Sequence, residues 1–171
     1  MVFSCFCSNK KYLKDNVYSP CKIVQSENKI KILNPISHEI EAEKEFQNTI
    51  ITNCIIQSIK YTIVCTKNKT FVLDENLSEI HSIQFDDEIL CSSSEKFKSY
   101  FYIGFKSGRV AVFAIRKLET KVLCFELWNF YCFKPVYNLA IHVEIINGEK
   151  KRNVFAGYSR WDNKALQKIN I

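Results

Sequence analysis

Glycine and proline are scarce in this chain, with four and three residues in 171. Flexible linkers are built from these residues, so none stands out and no domain boundary is marked. No run of 18 apolar residues exists, which excludes a membrane-spanning helix read from the sequence. The start, MVFSCFCSNKK, has a short apolar run with its charge after it, the wrong order for a signal peptide. No C-x-x-C pair occurs, and His38, His81 and His142 stand far apart, so no metal-ligand spacing is present. Ser92-Ser93-Ser94 has no adjacent histidine, and no G-x-S-x-G occurs. Asp86-Asp87-Glu88 lacks a calcium-loop pattern and reads as a solvated loop. No cofactor and no enzyme activity are expected.

What is present points to one folded unit. Hydrophobic residues make up 47% of the chain and aromatics 13%, enough to bury roughly 70% of the unfolded surface at this length. The net charge is +6, which permits an acidic partner or nucleic acid without requiring either. Lys, Asn and Ile are abundant, a usage that an AT-rich coding sequence produces by itself, so basicity alone is weak evidence for a ligand. The eight cysteines read as small buried hydrophobes rather than as disulfides. Cys5 and Cys7 would face the same side of a strand, but two ligands do not make a structural zinc site. Free thiols imply a reducing compartment, so a cytoplasmic or nuclear location is expected.

Three segments repeat at intervals of about 40 residues: CKIVQSENKIKILN from Cys21, YTIVCTKNKTFVLD from Tyr61 and FYIGFKSGRVAVFA from Phe101. Ile23, Ile63 and Ile103 coincide, as do Asn28, Asn68 and Gly108. Each copy is two strand-like runs around a polar turn. Tight hairpins favour a residue at positive φ, so Asn28, Asn68 and Gly108 are expected there. Gly104 and Gly108 therefore do not form a phosphate loop: Gly104 falls inside a strand, and Val-Ala-Val-Phe rather than a helix follows. A looser fourth copy runs from Asn153 to Ile169, its turn longer and its bend taken by Asn163. Further strand-like runs precede the later hairpins (Thr49 to Ile59, Glu88 to Cys91, Val136 to Ile146) and follow the first three (Glu39 to Phe46, Glu79 to Phe85, Lys121 to Leu127). Residues 37–48 also fit a capped helix, but their place in the repeat favours a strand. His142 alternates with apolar neighbours and is expected to be a structural histidine; Gly148 to Arg152 reads as a solvated hairpin.

Four strands in about 40 residues is the unit of a β-propeller blade. Over residues 20–171 the chain resembles a degenerate WD-repeat protein. Leu33-Asn34, Leu73-Asp74 and Phe113-Ala114 stand where that family's Trp-Asp pair ends the third strand, and only Asp74 keeps the acid. The Gly-His pair is absent, and Trp161-Asp162 lies in a turn. These departures remove the family's internal polar network and leave another propeller family or a β-sandwich open. The resemblance implies an all-β, small or incomplete propeller of about four four-stranded blades, at 8–47, 48–86, 87–128 and 129–171. Strand 2–7 would complete the last blade; otherwise the ring is incomplete and leaves an open edge for another chain.

In a propeller the turns between second and third strands share one face. Here they carry Lys29, Lys67, Lys69, Lys106, Arg109, Arg160 and Lys164 against Glu27 and Asp162, with Tyr158 and Trp161 beside the last set. The family resemblance implies a non-catalytic scaffold or adaptor that binds other proteins within a complex, through this face. The candidate contacts are Lys67, Lys69, Lys106, Arg109, Tyr158, Arg160, Trp161 and Lys164. The alternative is an RNA-associated component of a ribonucleoprotein particle, holding phosphates and stacked bases on the same face. Neither a membrane nor a small-molecule substrate is expected.

Overall fold

The computed structural model describes residues 22–34, 36–56, 58–95, 98–119, 121–146, 149–158 and 166–170. The expected strand 2–7, with Cys5 and Cys7, lies outside them, as do Asn163 and the Trp161-Asp162 pair. The chain forms two compact units, residues 1–50 and 51–171. All regular structure among the described residues is antiparallel β-sheet.

The first unit holds one sheet in the order β1-β2-β3 (Lys22–Gln25, Lys29–Leu33 and Ile40–Glu45). Along β2 only Ile30 and Ile32 are buried, the period-two pattern of a half-buried strand. Residues 40–45 are a strand rather than a helix. β3 pairs with β2 from Lys29↔Glu45 to Leu33↔Ile40.

The second unit holds three sheets. One has the order β4-β5-β6-β7 (Thr52–Ile56, Tyr61–Cys65, Lys69–Leu73 and Glu79–Gln84). The next, β8 to β11 (Ile89–Ser94, Tyr100–Phe105, Arg109–Lys117 and Val122–Tyr131), is again paired in chain order. The last is β12-β13-β14 (Asn138–Ile146, Glu149–Gly157 and Leu166–Asn170). The apolar run of the third repeat becomes β9 and β10, buried on both faces. On one side Ile103, Phe105, Ala111 and Phe113 pack with Ile63 and Val72 of the preceding sheet and with Phe85, just after it. On the other, Tyr102 and Val112 pack with Val154 of the following sheet. A sheet covered twice must be apolar at every position, which explains the loss of alternation in YFYIGF and VAVFAI.

The hairpin turns fall where the repeat places them, but their backbone differs from expectation. Gly108 has φ 91°, whereas Asn28 and Asn68 are not among the residues at positive φ. The turn carbonyls are committed to the segment that leaves each sheet. Asn28 O accepts Phe46 N at 2.8 Å and Glu27 O accepts Ile50 N at 2.7 Å. Asn68 O accepts Phe85 N at 2.8 Å and Lys67 O accepts Ile89 N at 2.7 Å. Gly108 O accepts Cys132 N at 2.7 Å in the third copy. The clamp is thus kept in all three copies, although Gly108 has positive φ and Asn28 and Asn68 do not.

Positive φ occurs instead at His38 (61°) and Leu77 (61°), in the loops after β2 and β6. There Asn34 Oδ1 accepts the amides of Ile36 and Ser37 at 2.9 and 3.0 Å, and Asp74 Oδ1 those of Asn76 and Ser78 at 2.9 and 2.8 Å. Asn34 and Asp74, where the family has its aspartate, thus do one local job: each closes a side-chain turn that ends its strand.

A Cβ built on Gly108 would lie 2.2 Å from Cys132 O. Gly108→Ala is expected to cost about 3 kcal/mol or more, from the backbone conformation and from loss of the clamp on Cys132. That lowers Tm by roughly 6–12 °C for a chain of this size. Asn68→Gly, which keeps the accepting carbonyl, is expected to cost less than about 1 kcal/mol. Thermal denaturation of both variants checks the contrast.

Candidate turn-edge interface

The turn 66–68 and the turn 106–108 are tied to one crossover, residues 85–89. Phe85 N and Ile89 N bond the first turn, and Lys106 N donates to Glu88 O at 2.9 Å. The next crossover, residues 132–136, hangs from the second turn through Cys132 N and from Phe105 O through Val136 N at 3.1 Å. Tyr137 N then reaches Gly157 O at 2.9 Å. Turns and crossovers therefore alternate along one edge of the second unit, joined by backbone bonds that do not depend on side-chain identity.

The candidate residues on this edge have specific surroundings. Lys67 is exposed at its turn. Lys69 lies over the Phe71 ring, with Nζ 4.7 Å from the centroid. Lys106 Nζ donates to Glu88 Oε2 at 3.0 Å, and that bond and charge raise the lysine pKa. Ser107 Oγ bonds Asp87. The Arg109 guanidinium sits 5.3 Å from the Phe105 ring and pairs with Glu126 at 2.5 Å. Tyr158 packs beside Cys132 and Val136; burial, and then a hydrogen bond with Cys132, push its phenol above the ordinary tyrosine range. Arg160, Trp161 and Lys164 lie outside the described residues. In the first unit, Lys29 pairs with Glu45 at 3.0 Å, which raises the lysine pKa and lowers the glutamate's, while Glu43 is lowered chiefly by Lys31 at 2.8 Å.

Three expectations are corrected. Asp87 and Glu88 are not merely a solvated loop: they hold the 106–107 turn by side chain and, at Glu88, by backbone. His142 is an exposed residue 3.4 Å from Glu144, not a core histidine, because β12 presents that face to solvent. Arg152 is not part of a solvated hairpin. It is only 21% exposed, and its Nε pairs at 2.9 Å with Glu95, which is buried. Tyr102 OH donates to the same carboxylate at 3.4 Å. Sequence reading missed Glu95 because its partner lies 57 positions away on another sheet.

The described cysteines, Cys54, Cys65, Cys91, Cys124 and Cys132, are in no disulfide and are half-buried to buried. Burial raises the Cys65 thiol to about 11 and Cys124 to about 12, and pushes Cys91 up as well. A thiolate is the reactive form, so these positions are packing groups at neutral pH.

No family model and no curated protein matches the sequence. Solved structures do. The crystal structure of Saccharomyces cerevisiae Sqt1 superposes with a TM-score of 0.64 at 13% identity, covering 81% of this chain and 38% of that one. BBS1N, in its complex with ARL6DN, gives 0.63 at 16% identity, covering 90% and 51%. A chain of the Mitotic Checkpoint Complex gives 0.65 at 7% identity, covering 87% and 45%.

The fold is that of a WD-repeat-like β-propeller. This chain spans between 38% and 51% of the length of those three propeller chains. At such identities the likeness concerns the fold, and the repeat legible in the sequence is the blade of that propeller.

Arg152→Ala leaves Glu95 buried without its cation and is expected to cost about 3 kcal/mol in urea denaturation, whereas Lys106→Ala, at a solvated pair, leaves the midpoint unchanged. The thiols add a pH dependence. The folded pKa values of Cys65, Cys91 and Cys124 lie above the unfolded one, so the folded state keeps protons that the unfolded state loses. Their contribution is complete below about pH 8.5 and is lost as pH rises towards about 11 for Cys65. Denaturation midpoints between pH 8 and 11 are expected to fall more steeply for the natural chain than for Cys65→Ala.

Proposed function

We propose that the chain is a non-catalytic scaffold or adaptor that binds other proteins along its turn edge. Lys67, Lys106 and Arg109 would be the described contacts, with Lys69 and Tyr158 beside them and Arg160, Trp161 and Lys164 completing the set. The observation that carries the reading is the backbone lacing of turns 66–68 and 106–108 onto one crossover. It presents cations at a fixed spacing with little left to order on binding, which lowers the entropic cost of association. BBS1N and the Mitotic Checkpoint Complex chain, similar in fold, were each solved with protein partners, which supports a protein ligand over a small molecule. Lys106 pairs with Glu88 and Arg109 with Glu126, so an acidic protein segment and an RNA backbone would each compete with these carboxylates, and the protein reading rests on the lacing and on the partnered neighbours.

The test is recovery of tagged chain from its own cells under mild conditions, followed by native mass spectrometry. A stoichiometric protein partner is expected, reduced at least about tenfold by the pair Lys67→Glu and Lys106→Glu, through charge repulsion at the rim. Recovery of the chain alone contradicts the proposal. Recovery of salt-sensitive RNA in place of protein supports the ribonucleoprotein alternative.

A further inference from the structure

The outermost strand of each full sheet has one edge without a described partner. Two of the three such strands that follow a repeat hairpin carry polar guards. β3 reads IEAEKE and β7 reads EIHSIQ. Charged side chains on an edge are the usual protection against pairing with another chain. β11 differs: it is ten residues long, reads VLCFELWNFY, and its single charge, Glu126, is already paired with Arg109. Exposed large apolar residues gather on this ribbon and its ends: Leu118 (44% exposed), Leu123 (37%), Leu127 (40%), Tyr131 (69%) and Phe133 (101%). Among the described residues no strand pairs with the outer edge of β11.

We infer that the β11 edge is a docking site for an extended segment of another protein, one with apolar residues alternating along it and acidic residues at its ends. Main-chain hydrogen bonds to a free edge supply affinity, and side chains on alternate positions supply choice. The charge around β11 selects the partner. Arg116, Lys117 and Lys121 are exposed at one end and Lys134 at the other, with Glu119 as the opposing exposed acid. A second copy of this chain fits badly: two β11 strands paired in antiparallel fashion bring Lys121 of one towards Lys134 of the other, like charges at both ends. An acid-flanked strand meets complementary charge at both. The inference shares with the proposed function the premise that the chain binds proteins; the strand edge of β11 is its own surface, adjoining the turn edge at Phe133 and Lys134.

The probe is a short synthetic peptide of alternating Val and Thr with Asp residues at both ends, and a second peptide with Lys in place of Asp. Binding is read on the purified chain by fluorescence anisotropy and by amide hydrogen exchange. The Asp-flanked peptide is expected to slow exchange across Val122–Tyr131 and to bind at least about tenfold more tightly than the Lys-flanked one, a gap that salt narrows. Leu123→Lys with Leu127→Lys, which gives β11 the guards of β3, is expected to weaken binding at least about tenfold. Exchange on the natural chain decides the matter if that variant fails to fold. Equal binding of the two peptides, protection away from β11, or β11 amides already protected in a dimer overturns the inference. Because no cellular partner enters this assay, its failure leaves the turn-edge reading standing, and the converse also holds.

Discussion

The carbonyls of the hairpin turns hold this structure in register. A turn between two inner strands would ordinarily offer its backbone to water. Here Asn68 O and Lys67 O, and in the first unit Asn28 O and Glu27 O, each accept one amide from the crossover that leaves the sheet. The crossover is thereby fixed at two points, before and after its acidic or polar middle. Each such bond contributes about 1 kcal/mol on its own, but leaving a buried amide unpaired costs more, so the pairing is strongly selected. The interval of about 40 residues follows: a repeat must be long enough for four strands and must return to the turn that anchors it.

Packing follows from the same constraint. Because crossover 132–136 is drawn onto the 106–108 turn, Val136 is forced into the sheet beside β9. A Cβ at Gly104 would lie 2.8 Å from Val136 Cγ1 and 2.7 Å from Cys91 Sγ. The first two copies have valine at this place and the third cannot. Gly104 therefore serves neither a turn nor a ligand: it is the space in which a neighbouring blade is laid. The edge charges obey a similar economy. Asp87 and Glu88 sit in the crossover and hold the next turn, so the basic side chains of that edge are oriented as well as displayed.

The repeat, the strand order within each sheet and the position of the turns were legible because apolar runs and polar turns recur in phase. Turn conformation was not: Gly108 has positive φ, whereas Asn28 and Asn68 at the matching places do not. Nor was the positive φ of Leu77, a residue that gives no local sign of it. Of the candidate site, the placement of Lys67, Lys106 and Arg109 at hairpin ends was readable. Their carboxylate partners Glu88 and Glu126 were not, because spacing along the chain says little about which strand edge faces which. The pair of Arg152 and Glu95 was hidden for the same reason: both sit in polar-looking segments, and the last sheet packs on β8 and β9 through β12.

Native-state hydrogen exchange at the crossover amides tests the central claim most directly. If turn carbonyls hold the blades in register, the amides of Phe85, Ile89 and Cys132 exchange as slowly as those inside β5 and β9, while the amide of Asp86 between them exchanges fast. Phe85, Ile89 and Cys132 exchanging at the rate of Asp86 would contradict the account, since the crossovers would then be tethered only by the strands they join.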